Sequence, residues 1–325
     1  MKLPRRQFLQ LVASAAALPA ASRVAGAQVY PSRPVRLIVP FAAGGPQDLI
    51  ARLIAQWLSE RLSQTVVIEN RPGGGANIGT EAVVRSEPDG HTLLLVTPPN
   101  AINATLYQKL TFDFIRDIAP IAGLVRILNA VVVHPSVPAT TIPEFIAYAK
   151  SNPGKINMAS AGIGTNPHVT GELFNMMAGT RMVHVPYRGA APAITDLLSG
   201  QVHIYFGSMA GSLEYIKLGK LRALATTGAT RSEMLPDIPT VGEFLPGFEA
   251  SFFNGVGVPK NTPAAIIERL NKEINAGLAD TQLKARLADM GGIVLAGSPA
   301  EFGQFIAAET EKWGKVIRFA GIKPQ

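Results

Sequence analysis

An α/β fold in two domains, each a mixed, mainly parallel sheet flanked by helices, is what this sequence predicts, and three observations predict it. Short apolar runs of strand length alternate with stretches whose apolar residues recur at helical spacing. The alternation occurs twice, once before and once after the segment near Leu128. The chain has 325 residues, 47% of them hydrophobic and none of them cysteine, so two cores are affordable in length and must be stabilised by apolar burial.

The first element is not part of that fold. Lys2, Arg5 and Arg6 precede an apolar stretch from Leu11 to Ala21, which ends in Ala25-Gly26-Ala27. This is the order of a secretory leader with its cleavage site, so the expected mature chain begins near Gln28 in an extracytoplasmic compartment. Arg5-Arg6-Gln7-Phe8-Leu9 resembles a twin-arginine export signal, with Pro4 where Ser or Thr is usual. The apolar stretch is about half the length needed to cross a bilayer.

After the leader, Val35 to Val39 reads as a strand, Gly44-Gly45-Pro46 as a turn, and Leu49, Ile50, Leu53, Ile54, Trp57 and Leu58 as one helix face. The unit repeats: strand Val66 to Glu69, a glycine-rich connection Asn70 to Gly75, helix Ile78 to Arg85, strand Thr92 to Val96. The second half opens with a buried strand over Leu128 to His134. It continues with helix Ile142 to Lys150, strand Ile156 to Ser160, loop Gly162 to Thr165, helix His168 to Met177 and strand Met182 to Pro186. Helix Pro192 to Leu198 and strands Val202 to Phe206 and Leu221 to Ala225 complete it. Strands alternating with helices imply sheets covered on both faces. The C-terminal part is mainly helical, with Thr262 as the expected N-cap of one helix and the capping box Ser298-Pro299-Ala300-Glu301 opening another.

Composition excludes several functions. The leader carries four of the 30 basic residues and none of the 23 acidic ones, leaving 26 − 23 = +3 on the mature chain. Those charges are interspersed, as in Glu268-Arg269 and Lys272-Glu273, with no basic stripe for a nucleic acid. The five histidines are dispersed and no H-E-x-x-H occurs; His168 and Glu172 share a helix face, but two ligands without a third do not hold zinc. No G-x-S-x-G elbow is present. The glycine run Arg71 to Gly79 lacks both the Gly-Lys-Ser/Thr of a phosphate loop and the G-x-G-x-x-G of a dinucleotide fold, and reads as a flexible β-to-α connection. No metal, cofactor or catalytic residue is expected.

What remains is one glycine-bearing turn per half, each leading from a strand into a helix: Pro40 to Asp48 and Ser160 to His168. A helix start leaves about four backbone N–H groups unpaired and carries roughly half a positive charge, so it holds anions without Arg or Lys. Two such turns facing one another across an interdomain cleft would hold a carboxylate-bearing molecule. Glycines serving only as tight turns is the competing reading.

The residues also carry a resemblance. Pro40-Phe41-Ala42-Ala43-Gly44-Gly45-Pro46-Gln47-Asp48 followed by Ala51-Arg52, then Glu69-Asn70-Arg71-Pro72-Gly73, Ile78-Gly79-Thr80-Glu81, Pro88-Asp89-Gly90-His91-Thr92-Leu93 and Pro186-Tyr187-Arg188-Gly189 are similar to the tripartite tricarboxylate transporter receptors, also called the Bug family. Gly164-Thr165-x-Pro167-His168 and Asp196-Leu197-Leu198-x-Gly200-Gln201-Val202 extend the match over the mature chain.

The resemblance implies a type II-like, two-domain periplasmic binding-protein fold, with residues 28–128 and 252–325 in one domain and 129–251 in the other. It implies a monomer that closes on a small carboxylate and passes it to integral-membrane permease subunits of a tripartite transporter, without catalysis. On matching positions it assigns ligand contacts to Phe41, Gly45, Pro46 and Gln47 and to Ser160, Ala161, Gly164 and Thr165. Asp48 either complements the helix dipole or accepts from a ligand amino group. Asn100, Arg188 and Ser208 each follow a strand and rank as further cleft-facing candidates. The alternatives are an exported hydrolase using Ser160 or Ser208, and a receptor presenting its ligand to a signalling protein.

Overall fold

Every strand expected from the apolar runs is present, and those that lead into helices do so within a few residues. The computed structural model describes residues 30–324, so the leader, its twin-arginine-like motif and the cleavage site near Ala27 lie outside the described residues. The first half runs β1 (Val35–Val39), α1 (Pro46–Leu62), β2 (Val66–Asn70), α2 (Asn77–Val84), β3 (Thr92–Val96), α3 (Pro98–Leu106), the single turn α4 (Phe114–Asp117) and β4 (Ile118–Val133). The second runs α5 (Ile142–Ser151), β5 (Asn157–Ser160), α6 (Asn166–Ala178), β6 (Val183–Pro186), α7 (Ala190–Leu198), β7 (Ile204–Ser208), α8 (Met209–Lys217) and β8 (Arg222–Thr226). The chain then returns through β9 (Ser251–Pro259), α9 (Ala264–Ala279), α10 (Thr281–Asp289), β10 (Gly292–Val294) and α11 (Pro299–Ala320).

One strand organises both halves. From Ile118 to Leu128, β4 pairs antiparallel with β9, and from Asn129 to Val133 it pairs antiparallel with β7 and β8. The first half therefore has the order β2-β1-β3-β9-β4-β10 and the second β8-β4-β7-β5-β6. The sheet is mixed, and parallel pairing is confined to β1 with β2 and β3 and to β5 with β6 and β7. The expectation of a mainly parallel sheet holds only inside the β-α-β units.

The first ten residues of β4 were not foreseen because Pro120 and Gly123 punctuate them as a turn would. The ladder absorbs both at register shifts, between Pro120 and Ala122 and between Gly123 and Val125. A side chain at Gly123 would sit 2.6 Å from the Leu295 carbonyl oxygen, so the glycine is there for close backbone approach. β7 begins two residues later than expected, because the Val202 amide still turns back to the Asp196 carbonyl at the end of α7. Thr262 is not an N-cap: its hydroxyl donates to the Pro259 carbonyl and Pro263 takes the cap position. The Ser298 and Glu301 capping box is formed in both directions.

Both faces of each half-sheet are covered. Leu37, Ile54, Leu58, Val256 and Leu270 form one core of the first half, and Ile38, Val96, Phe253 and Phe302 the other. In the second half, Val131, Phe145, Phe174 and Phe206 lie on one face and Val132, Leu197 and Tyr205 on the other. Two helices ignore the expected boundary. Ala101, Ile102 and Leu106 of α3, with Trp313, Val316 and Ile317 of α11, pack into the core around Phe174, although residues near 100 and 313 were expected to belong wholly to the other domain. The halves are thus joined by packed helices as well as by β4 and β9.

Candidate functional site: two glycine turns on one cavity

The first turn follows β1. Pro46 occupies the first helical position, where its missing N–H costs nothing, and Gly45 is the N-cap with no side chain to cap the helix. Gly44 has φ +84°, open to glycine with little strain. Its amide donates to Asp48 Oδ2 at 2.9 Å, and the same carboxylate receives Arg52 Nε at 2.8 Å and Asn70 Nδ2, on Oδ1, at 2.9 Å. Asn70 also donates to the Phe41 carbonyl, which ties the end of β2 to the turn. Burial by itself would raise the Asp48 carboxyl; Arg52, the Gly44 amide and Asn70 outweigh it and hold it below the usual carboxylate range. Asp48 is buried and bonded to the Gly44 amide, Arg52 and Asn70.

The second turn follows β5 and is pinned at the equivalent place by different chemistry. The Gly164 amide, at φ +74°, donates to His168 Nδ1 at 3.0 Å. That bond fixes the tautomer with the proton on Nε2. The His168 ring stacks on His184 at 3.5 Å between centroids and 8° between planes, and His184 Nε2 lies 2.6 Å from Ser160 Oγ. Burial, reinforced by His184, pushes His168 down to about 3, and burial pushes His184 down to about 4, so both rings are neutral. Glu172 stands 3.9 Å from His168 Nε2 and is itself pushed up by burial, so the two do not form an ion pair at neutral pH. Ser160 accepts from the Gly162 amide, and Thr165 donates its hydroxyl hydrogen to the Gly162 carbonyl.

These side-chain anchors leave other amides open. Among the described residues, the N–H groups of Ala43, Gly45, Ala161 and Ile163 have no protein acceptor outside regular structure. They stand beside the starts of α1 and α6, where the helix ends add unpaired amides of their own. A cavity of about 260 Å³ lies between the turns, bounded by Pro40 to Ala42 of the first and Ile163 to Thr165 of the second. Its remaining walls are Pro72, Gly73, Gly75 and Ala76 from the glycine run and Pro99, Asn103, Leu106 and Tyr107 from α3 and its end.

Of the expected contacts, Phe41, Gly164 and Thr165 line this cavity. Gly45, Pro46 and Gln47 sit on the same first turn without lining it, and Ala161 stands on the second. Ser160 is fully buried beneath the second turn, bonded to His184 and Gly162, which closes its hydroxyl to an approaching substrate. Asn100 does not face a cleft: it is buried, its Oδ1 accepts from the Thr97 amide and hydroxyl, and its Nδ2 donates to Thr80. Arg188 and Ser208 are exposed at the ends of β6 and β7, away from the lining.

The wall formed by α3 was missed, yet its signals are in the chain. Thr97 and Asn100 make a capping box, Pro98 and Pro99 suit a first turn, and Ala101, Ile102 and Leu106 recur on one face. Two roomier grooves, of about 400 and 380 Å³, lie elsewhere, one between α1 and α10 and one beside Arg116 and Lys260. Neither contains a glycine turn. No helix among the described residues is long and apolar enough to cross a membrane.

Known proteins share this fold. The family model described as "Tripartite tricarboxylate transporter family receptor" matches residues 50–322. Rpa4515 of R. palustris, solved with adipate, is 35% identical with a TM-score of 0.77, over 91% of this chain and 100% of that one. The periplasmic binding protein BugD is 35% identical with a TM-score of 0.74, again over 91% and 100%. MatC from Rhodopseudomonas palustris, solved with bound malate, is 30% identical with a TM-score of 0.74, over 89% and 100%.

Proposed function

The chain belongs to the tripartite tricarboxylate transporter receptor family, and from that premise we propose that it is a solute-binding receptor that captures a small carboxylate between its two halves and delivers it to a tripartite membrane transporter. The observation that carries this reading is the opposition of two strand-to-helix turns, from different half-sheets, across one cavity, with Ile163, whose amide is unpaired, in its wall and the unpaired amides of Ala43, Gly45 and Ala161 on the same turns. A carboxylate there has no cationic side chain to pair with, because the lining contains no Lys, Arg or His, and its partners are hydrogen-bond donors. Adipate in Rpa4515 and malate in MatC support a carboxylate ligand.

The energetics suffice. A hydrogen bond to a charged group contributes roughly 1.5 to 3 kcal/mol, so a handful from the two turns, less the cost of ordering, reaches about −8.2 kcal/mol and micromolar affinity. We place the ligand between Phe41, Gly45 and Gln47 on one side and Ala161, Gly164 and Thr165 on the other. Gly45, Gln47 and Ala161 contribute main-chain amides, and Phe41 covers the ligand's apolar part.

The moving bodies in this reading are residues 28–128 with 252–325 and residues 129–251. The change of partner in β4 at Leu128 and Asn129 supports that division, with α3 and α11 as the packed joint. The protein works in the periplasm after removal of its leader near Ala27, as a non-enzymatic component.

Isothermal titration of residues 28–325 with a panel of organic acids tests the reading. Micromolar binding accompanied by a smaller radius of gyration in solution scattering is the expected result. Turnover of a labelled acid, or indifference to every acid, would refute it. Uptake of the bound acid by cells should disappear when the permease subunits are deleted.

A further inference from the structure

The cavity walls impose a selection that the amide turns do not. Its side chains are mostly hydrocarbon: Phe41, Leu106 and Ile163, with Pro72 and Pro99. Three polar side chains reach it, and two have no hydrogen left to give. Both Nδ2 hydrogens of Asn103 are taken, by the Gly75 carbonyl at 2.6 Å and Asn77 Oδ1 at 2.9 Å. The only hydrogen of Thr165 Oγ1 goes to the Gly162 carbonyl at 2.7 Å. Tyr107 is different: its ring packs against the core around Leu106, and its hydroxyl has no protein partner among the described residues. A side chain placed at Gly75 would stand 3.1 Å from that hydroxyl, so the oxygen points across the mouth of the glycine run.

We infer, resting on the carboxylate-receptor reading above, that the ligand is an acid with an unsubstituted hydrocarbon body and a second polar end. Tyr107 is the specificity-determining residue that donates to that far end. The physical reason is the asymmetry of polar burial: an apolar group against these walls gains, whereas a hydroxyl carried into them leaves water for a lining whose side chains offer no donor besides Tyr107. Main-chain amides hold one carboxylate, and the phenol is the one side-chain donor left for the other.

The test is titration of residues 28–325 with adipate, with galactarate, which has the same six-carbon chain and both carboxylates but four hydroxyls, and with hexanoate, which lacks the second carboxylate. Adipate should bind at least tenfold more tightly than galactarate. In Tyr107→Phe the ratio of adipate to hexanoate affinity should fall about tenfold, which corresponds to about 1.4 kcal/mol. The thermal midpoint of the unliganded variant should match that of the parent, since the ring and its packing remain. Galactarate binding as tightly as adipate, or an unchanged ratio in Tyr107→Phe, overturns the inference while leaving carboxylate binding intact. Failure of all three acids to bind, with other classes of organic acid failing too, overturns the receptor reading itself.

Discussion

The turns after β1 and β5 solve one backbone problem with opposite electrostatics. In each, a glycine at positive φ presents its amide to the side chain four residues later, Gly44 to Asp48 and Gly164 to His168. The first anchor is an ionised carboxylate braced by Arg52 and Asn70, and the second is a neutral imidazole braced by a stacked His184. An amide bonded to a carboxylate is a stronger contact than one bonded to a neutral ring. The comparison teaches that a glycine pattern fixes where a turn with open amides forms, while the anchor decides the conditions under which it stays formed.

The largest effect that separates the turns should come from the glycines. Gly164→Ala combines a left-handed φ with a contact of 2.7 Å to the Leu106 side chain, so we expect a loss of about 2 to 4 kcal/mol in stability and binding together. Gly45→Ala has an ordinary φ of −78° and its nearest contact is Gln47 Oε1 at 3.5 Å, so ligand affinity should change by no more than about threefold. Titration and denaturant unfolding of both variants check this, and equal losses would break the comparison.

Next come the anchors themselves. His168→Ala removes the acceptor of the Gly164 amide and one ring of the buried stack, and should cost about 2 to 3 kcal/mol in urea unfolding. Asp48→Ala should cost about 1 to 2 kcal/mol, because Gly44 is exposed and water replaces its lost acceptor.

Acid sharpens the contrast. An unfolded His168 takes up a proton below about 6.5, whereas the folded ring resists protonation until about 3. The unfolded state therefore binds more protons in that window, and stability falls as pH drops from 6.5 towards 3, by about 2 kcal/mol at pH 5 from this residue. Asp48 has the depressed carboxylate's sign: its contribution is complete above the ordinary carboxylate pKa and is lost only as pH falls through its lower folded value. Unfolding between pH 5 and 7 should thus show a slope that His168→Gln reduces and Asp48→Asn leaves in place. The smallest effect belongs to Arg188→Ala. Arg188 is exposed, so stability and affinity should move by less than about 0.5 kcal/mol.

The α/β class, the two strand-helix series and the two glycine turns were legible in the chain, because periodicity and glycine chemistry act over a few residues. Phe41, Gly164 and Thr165 sit on those turns and line the cavity between them. Asn100 was misjudged because a polar residue after a strand looks available until its partners Thr97 and Thr80 are seen. Tyr107 gave no local signal, since its role arises from Gly75, 32 positions earlier, and from the cavity they enclose.

By itself the sequence determined the order of the main strand-helix units, where the two glycine turns lie, and that apolar burial must stabilise the fold without disulfides. Only the tertiary structure decided that β4 would serve both half-sheets and that α3 and α11 would pack across the boundary. It also decided that two histidines 16 positions apart would stack beneath the second turn. The reason is range: capping, turn chemistry and periodicity are interactions among near neighbours, whereas strand pairing, ring stacking and cavity shape depend on segments that meet only once the chain has folded.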